Sequence, residues 1–198
     1  MLSSPAQKSF FVTLFVFISG FCSLAYQVVW LREFRLVFGG STLAASAVLA
    51  VFMGALGLGS WVLGRKADES PRPGRFYAII EALIGLSVII SPLLLVFGQK
   101  LYYTTGGIQS LGWLAVALQM LITIIVIATP CFLMGGTLPA AIRLVQTDQD
   151  QARRSSALMY GMNIAGAMTG AFIVNFYWLE ALGNTKSLIV AAGINLLL

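Results

Sequence analysis

Apolar runs long enough to cross a bilayer alternate along this chain with short clusters of charge. Phe10–Leu31, Leu43–Gly64, Phe76–Phe97, Leu111–Met134 and Ser156–Trp178 each hold about 22 residues. As helices they reach about 33 Å, against a hydrocarbon core of about 30 Å. A sixth run, Ser187–Leu198, starts in the same way and extends about 18 Å, too short to span. The pattern predicts an all-α fold, a polytopic transmembrane helix bundle with five full spans and a short or truncated sixth helix. The helices are expected over 10–31, 43–64, 76–97, 111–134, 156–178 and 187–198, forming one transmembrane domain over residues 1–198. The short sixth run leaves two readings. The favoured one is that the sequence is part of something longer; the other is a half-spanning helix capped by a partner.

Turn residues mark the connections. Phe38-Gly39-Gly40-Ser41 joins helices one and two, and Asp68–Gly74, with Pro71 and Pro73, joins two and three. Gln99–Ser110 contains Gly106-Gly107, Gly135–Arg154 is the longest polar connection, and Glu180–Lys186 contains Gly183-Asn184. Pro130 is expected to kink helix four, and Met134-Gly-Gly-Thr-Leu-Pro139 to break it.

Composition agrees with the spacing. The chain is 59% hydrophobic and 10% charged, where a soluble domain carries about 25% charged residues. There is no histidine, which removes the usual neutral-pH base and the commonest metal ligand. Cys22 and Cys131 fall inside apolar runs and read as small buried hydrophobes, so neither a metal nor any other cofactor is expected. The net charge of +5 does not form a nucleic-acid stripe, because the basic residues sort by loop. Lys8, Arg65, Lys66, Arg72, Arg75, Arg143, Arg153 and Arg154 fall on one side, and Arg32, Arg35, Lys100 and Lys186 on the other. Eight against four places the N-terminus in the cytoplasm of a multi-pass cell-membrane protein. Ser23-Leu24-Ala25 resembles a signal cleavage site, but the apolar run continues to Leu31, which favours a retained span.

Small residues recur every fourth position in two helices. Ser46, Ala50 and Gly54 do so in helix two; Gly161, Ala165 and Thr169, with Gly166 and Gly170, do so in helix five. Such ridges let backbones approach in lipid, so helices two and five are expected to make the closest contact. The functional alternative is a sliding surface in a transporter.

Glu81 is the one acid well inside an apolar run, and ionisable groups at membrane depth are costly. Its expected role is structural, paired near the cytoplasmic face with Arg65, Lys66, Arg72 or Arg75; the alternative is a substrate or proton site. Tyr26 and Trp30 suit an interfacial aromatic belt, with Arg32 and Arg35 as anchors. Gln27 and Glu33 could line a polar vestibule or bond to a neighbouring helix. Asn163 most simply forms an interhelical hydrogen bond. Tyr26, Gln27, Glu33, Glu81 and Asn163 are therefore the candidate binding residues, and no catalytic residue is assigned.

The segment Gly57–Glu81, with its glycine-rich helix end, basic pair, Asp68 and Arg75, resembles the signature loop of major facilitator transporters, although Asp68 to Gly74 is longer than that loop. Taken in order, SGFCSLAYQVVWLREFRLVFG, LGLGSWVLGRKAD, FLMGGTLPA and MYGMNIAGAMTGAF resemble the membrane domain of bacterial spermidine synthase-like proteins. In that family a major-facilitator-like region is fused to a soluble aminopropyltransferase domain. The resemblance implies a parent role in polyamine aminopropyl transfer. The soluble catalytic domain is absent from these residues: no strand, glycine loop and helix unit can be found to bind decarboxylated S-adenosylmethionine. Three functions follow: a non-catalytic anchor or coupling domain, a transporter half-module for polyamines or other small cations, and an accessory subunit of a larger membrane complex. The partners implied are the lipid bilayer, a soluble aminopropyltransferase domain or other membrane subunits, and a second copy in a homo-oligomer.

The charge asymmetry gives a direct test of topology. With Cys22 and Cys131 replaced by serine, Lys100→Cys in intact cells should react with an impermeant thiol reagent added from outside. Labelling at Asp148→Cys alone would reverse the orientation.

Overall fold

A computed structural model describes residues 5–104, 112–145 and 151–198, all as helices and short turns. The Gly106-Gly107 turn and Asp148 lie outside the described residues. Helix α1 runs Pro5–Phe38, α2 Thr42–Glu69, α3 Pro73–Thr104 and α4 Gly112–Val145. Helix α5, Gln151–Ile173, passes through a wider turn, Val174–Trp178, into the single turn α6, Leu179–Ala181; α7 is Gly183–Leu196. Five of these helices are long and apolar enough to cross a membrane. Their outer faces carry Leu93, Phe97 and Trp113, each more than half exposed, which a water-soluble surface would not tolerate on this scale. The protein is an all-helical bundle of membrane type.

Helices are the only open-ended answer to a chain in hydrocarbon, because each satisfies its own N–H and C=O groups. The hydroxyls inside the spans obey the same demand. Ser23, Thr123 and Thr169 donate to carbonyls four residues back, at 2.7 to 2.9 Å.

The first turn forms as its residues suggest. Gly39 adopts φ +85°, a left-handed conformation that stops α1. The Ser41 side chain then accepts a hydrogen bond from the Ala44 N–H at 3.2 Å and caps α2. Elsewhere the helices outrun their apolar cores. Asp68–Gly74 shrinks to three residues between α2 and α3, and Gly183, at φ +73°, opens α7 four residues before the expected start. Helix four does not break: α4 continues through both Pro130 and Pro139. A proline removes only its own N–H from the ladder, and the flanking turns of this helix are packed on α2 and α3.

The small-residue ridges do not meet each other. Helix α2 packs on α4 and α5 packs on α1, so the expected α2–α5 contact is replaced by two separate pairs. The closest approaches are made by glycines facing carbonyls. A Cβ at Gly166 would strike the Phe17 carbonyl, and one at Gly170 the Phe21 carbonyl. In the other pair, Gly59 abuts Phe132, and Gly135 abuts Leu56 and Ser60. Gly166 and Gly170 advance with Phe17 and Phe21, and Gly59 and Gly64 with Phe132 and Pro139, so each pair is parallel.

These pairings have an internal symmetry. The next most extensive contacts put α3 on α4, α7 on α1, α3 on α7 and α1 on α4. Exchanging α1, α2 and α3 with α4, α5 and α7 leaves this set of contacts unchanged. An odd number of helices per group turns the second group upside down relative to the first, which is the arrangement of an inverted repeat.

Two substitutions separate the contact glycines from the open ones. Gly166→Val should lower stability by about 1–3 kcal/mol, or prevent folding, because the Phe17 backbone cannot give way. Gly54→Ala, with nothing within 4 Å, should be neutral or stabilising by up to about 1 kcal/mol. Thermal unfolding of the purified variants in detergent measures both.

Candidate functional site

Where α1, α3 and α7 meet, the apolar core gives way to a polar seam. Helix α1 contributes Ser19, Cys22, Tyr26 and Trp30, at steps of three and four that place them on one face. Helix α3 contributes Tyr77, Glu81 and Ser91 from its own buried face, with Ile84 and Val88 between them. Helix α7 contributes Ala191 and Asn195, one turn apart. All eleven of these residues are buried.

The contacts join all three helices. The Asn195 Nδ2 amide donates to the Glu81 carboxylate oxygen Oε2 and to the Glu81 main-chain carbonyl, both at 2.8 Å. One amide thus clamps α7 to α3. The Cys22 thiol points to the Ala191 carbonyl at 3.4 Å and ties α1 to α7. Further along, the Trp30 indole N–H donates to the Ser91 hydroxyl oxygen at 3.1 Å, and that hydroxyl donates to the Val88 carbonyl at 2.8 Å. The Ser19 and Tyr77 hydroxyls lie beside the carboxyl. Yet Glu81 Oε1, the Tyr77 hydroxyl and the Tyr26 hydroxyl have no partner in hydrogen-bonding geometry. Buried polar atoms are rarely left so, and each costs about 1–3 kcal/mol.

The expected basic partner of Glu81 is not there. Arg65, Lys66, Arg72 and Arg75 are all exposed, and no ion pair to Glu81 exists among the described residues. The reason is angular: Arg75 lies six positions before Glu81, and at about 100° per residue it falls on the other side of α3. Glu81 instead shares the buried face of Tyr77, Ile84 and Val88, which turns it into the bundle.

The other candidates are dispersed. Tyr26 joins the seam, its ring 5.7 Å from that of Trp30, buried rather than part of an interfacial belt. Gln27, its neighbour, is half-buried and lies off that face. Glu33 lines a separate cavity of about 90 Å³ with Gln99 and Thr185. Asn163 faces the far side of α1, where its main-chain and side-chain oxygens crowd Gly20. It also lines a cleft of about 350 Å³ with Ser23, Ser60, Thr137 and Tyr160. Of the ridge residues, Ser46, Ala50, Gly54 and Gly161 are exposed, whereas Gly166 and Gly170 are the α1 contacts.

Sequence reasoning did not single out Ser19, Tyr77 or Asn195, and it treated Cys22 as a plain hydrophobe. A signal was present for Tyr77, four residues before Glu81 and so on its face. Asn195 carried none, because its helix was judged only by its length. Among the described residues no cluster of His, Cys, Asp and Glu could hold a metal ion.

No family model matches the sequence, and no solved structure matches it. A protein of Streptomyces coelicolor named polyamine aminopropyltransferase 1 is 25% identical to it over 187 residues, covering 94% of this chain and 32% of that protein. The chain spans about a third of the length of the curated relative it matches. It is therefore linked, distantly, to spermidine synthase-like proteins.

The clamp predicts its own energetics. Asn195→Leu removes the amide donor to Glu81 and leaves the carboxylate oxygen Oε2 without a partner, so it should destabilise the protein by about 1–3 kcal/mol. Gln27→Leu, which disturbs no described contact of the seam, should stay within about 0.5 kcal/mol. Denaturation in a graded detergent series compares the two.

Proposed function

We propose that this chain is the membrane domain of a spermidine synthase-like protein, a non-catalytic unit that anchors aminopropyl transfer to the membrane or couples it there. The observation that carries this reading is the uneven coverage. Nearly all of this chain, with its five candidate spans, aligns to about a third of a protein named for aminopropyl transfer. On this reading the reaction belongs to the remaining two thirds of such a protein. The polar seam offers one buried carboxyl and hydroxyls, without an open pocket for a nucleoside-bearing substrate. The membrane is the bacterial inner membrane, with the N-terminus in the cytoplasm, and the partner is a soluble aminopropyltransferase domain.

One observation favours a second reading. The exchangeable helix pairings are those of half a transporter built from inverted three-helix groups, in the manner of the major facilitators. Such a half-module would carry polyamines or other small cations, with a second half supplied by another copy or subunit.

The purified chain, given decarboxylated S-adenosylmethionine and putrescine, should form no spermidine above background. Measurable turnover would overturn the non-catalytic reading. Vesicles reconstituted with the chain should also accumulate no labelled spermidine; uptake would replace the anchor with the transporter half.

A further inference from the structure

Glu81 combines three features that packing alone does not require. Its carboxyl is only 1% exposed, so no solvent reaches it in this arrangement. Asn195 fixes Oε2, while Oε1 has no hydrogen-bond partner. The Tyr77 hydroxyl, which lies beside the same carboxyl, has none either. The titratable groups that face it are Cys22 and Tyr26 from α1 and Tyr77 from α3 itself. Helix α7 brings the uncharged Asn195, and no lysine or arginine of α2 or α4 is among its neighbours.

An ionised carboxylate in such a place demands a counter-charge, because leaving it bare in a water-free interior costs several kcal/mol. An organic cation large enough to be a polyamine could reach it only by parting α1, α3 and α7. A proton needs no such space. It also completes the geometry, since an O–H at Oε1 can donate to a neighbouring hydroxyl oxygen, Tyr77 or Ser19, and give both atoms a partner.

We propose that Glu81 is a proton-binding site, with Oε1 as the atom that takes the proton and Asn195 holding Oε2 in place. Hydronium gives up the proton, an O–H bond forms at Oε1, and water is left behind; the reverse step returns the proton to water. The deprotonated carboxylate is an anion that no cation faces among the described residues. Its formation therefore goes together with water entry to the seam. The inference is independent of any link to aminopropyl transfer and stands or falls separately from it.

Infrared spectroscopy of the full chain in lipid vesicles tests this directly. Wild-type protein carrying ¹³C-glutamate should show a carboxylic-acid C=O band, shifted by the isotope, that disappears reversibly as the pH is raised. Glu81→Gln should lack it, and Glu81→Asp should transfer it from the glutamate label to an aspartate label, which secures the assignment if the glutamine variant misfolds. Saturating spermidine at constant pH should leave the band in place. Absence of the band, or its persistence at every pH until the protein unfolds, overturns the proposal. So does its removal by spermidine, which would make the site one for a polyamine.

Discussion

Helices in lipid have no hydrophobic force pressing them together, since the tails are as apolar as the side chains they would replace. What remains is contact, and contact grows steeply as backbones approach. The bundle depends on two places where that approach is pushed to its limit, Gly166 and Gly170 against α1, and Gly59 and Gly135 across α2 and α4. Each glycine fills the space a side chain would need with another helix's carbonyl. These two parallel pairs are the frame, and α3 and α7 are laid across it through α4 and α1.

The frame explains why the polar seam lies where it does. Helices α1 and α5 are locked through one face of α1, which presents Gly20, Phe17 and Phe21. The face bearing Ser19, Cys22, Tyr26 and Trp30 then turns towards α3 and α7. There is no comparable glycine at the α1–α3 boundary, and side-chain hydrogen bonds take over the work of holding the helices. The Trp30–Ser91 bond and the Asn195 clamp each join residues more than sixty positions apart. In a medium without water such bonds have little competition, although measured values average only about 0.6 kcal/mol because partners are also found in the unfolded state. Glu81 sits where this network is incomplete, with its Oε1 and the Tyr26 and Tyr77 hydroxyls unmatched.

An incomplete network at membrane depth is also what gives the seam its chemical interest. A fully satisfied set of hydroxyls and amides would be a rigid joint. With Oε1 and the Tyr77 hydroxyl unmatched, the joint has a position that a proton can fill. The symmetry of the pairings adds to this, because α3 and α7 are the exchanged members of the two groups and the clamp lies on their shared boundary.

The sequence by itself determined the class of the protein and the number of its spans. Run length against bilayer thickness needs no tertiary information, and the same holds for the glycine turn at Gly39. It also marked Glu81 and Tyr26, because an ionisable or polar group is conspicuous in an apolar run. It could not say which helix each residue would meet. Glycine ridges on two helices look complementary on paper, but any ridge of that period fits any flat backbone, and only the whole bundle decided for α4 and α1 instead. Likewise Arg75 is near Glu81 in sequence and turned away from it in space, whereas Asn195 is 114 positions distant and in contact. Periodicity fixes the face on which a residue lies; the neighbour opposite that face is set by how all the helices close together.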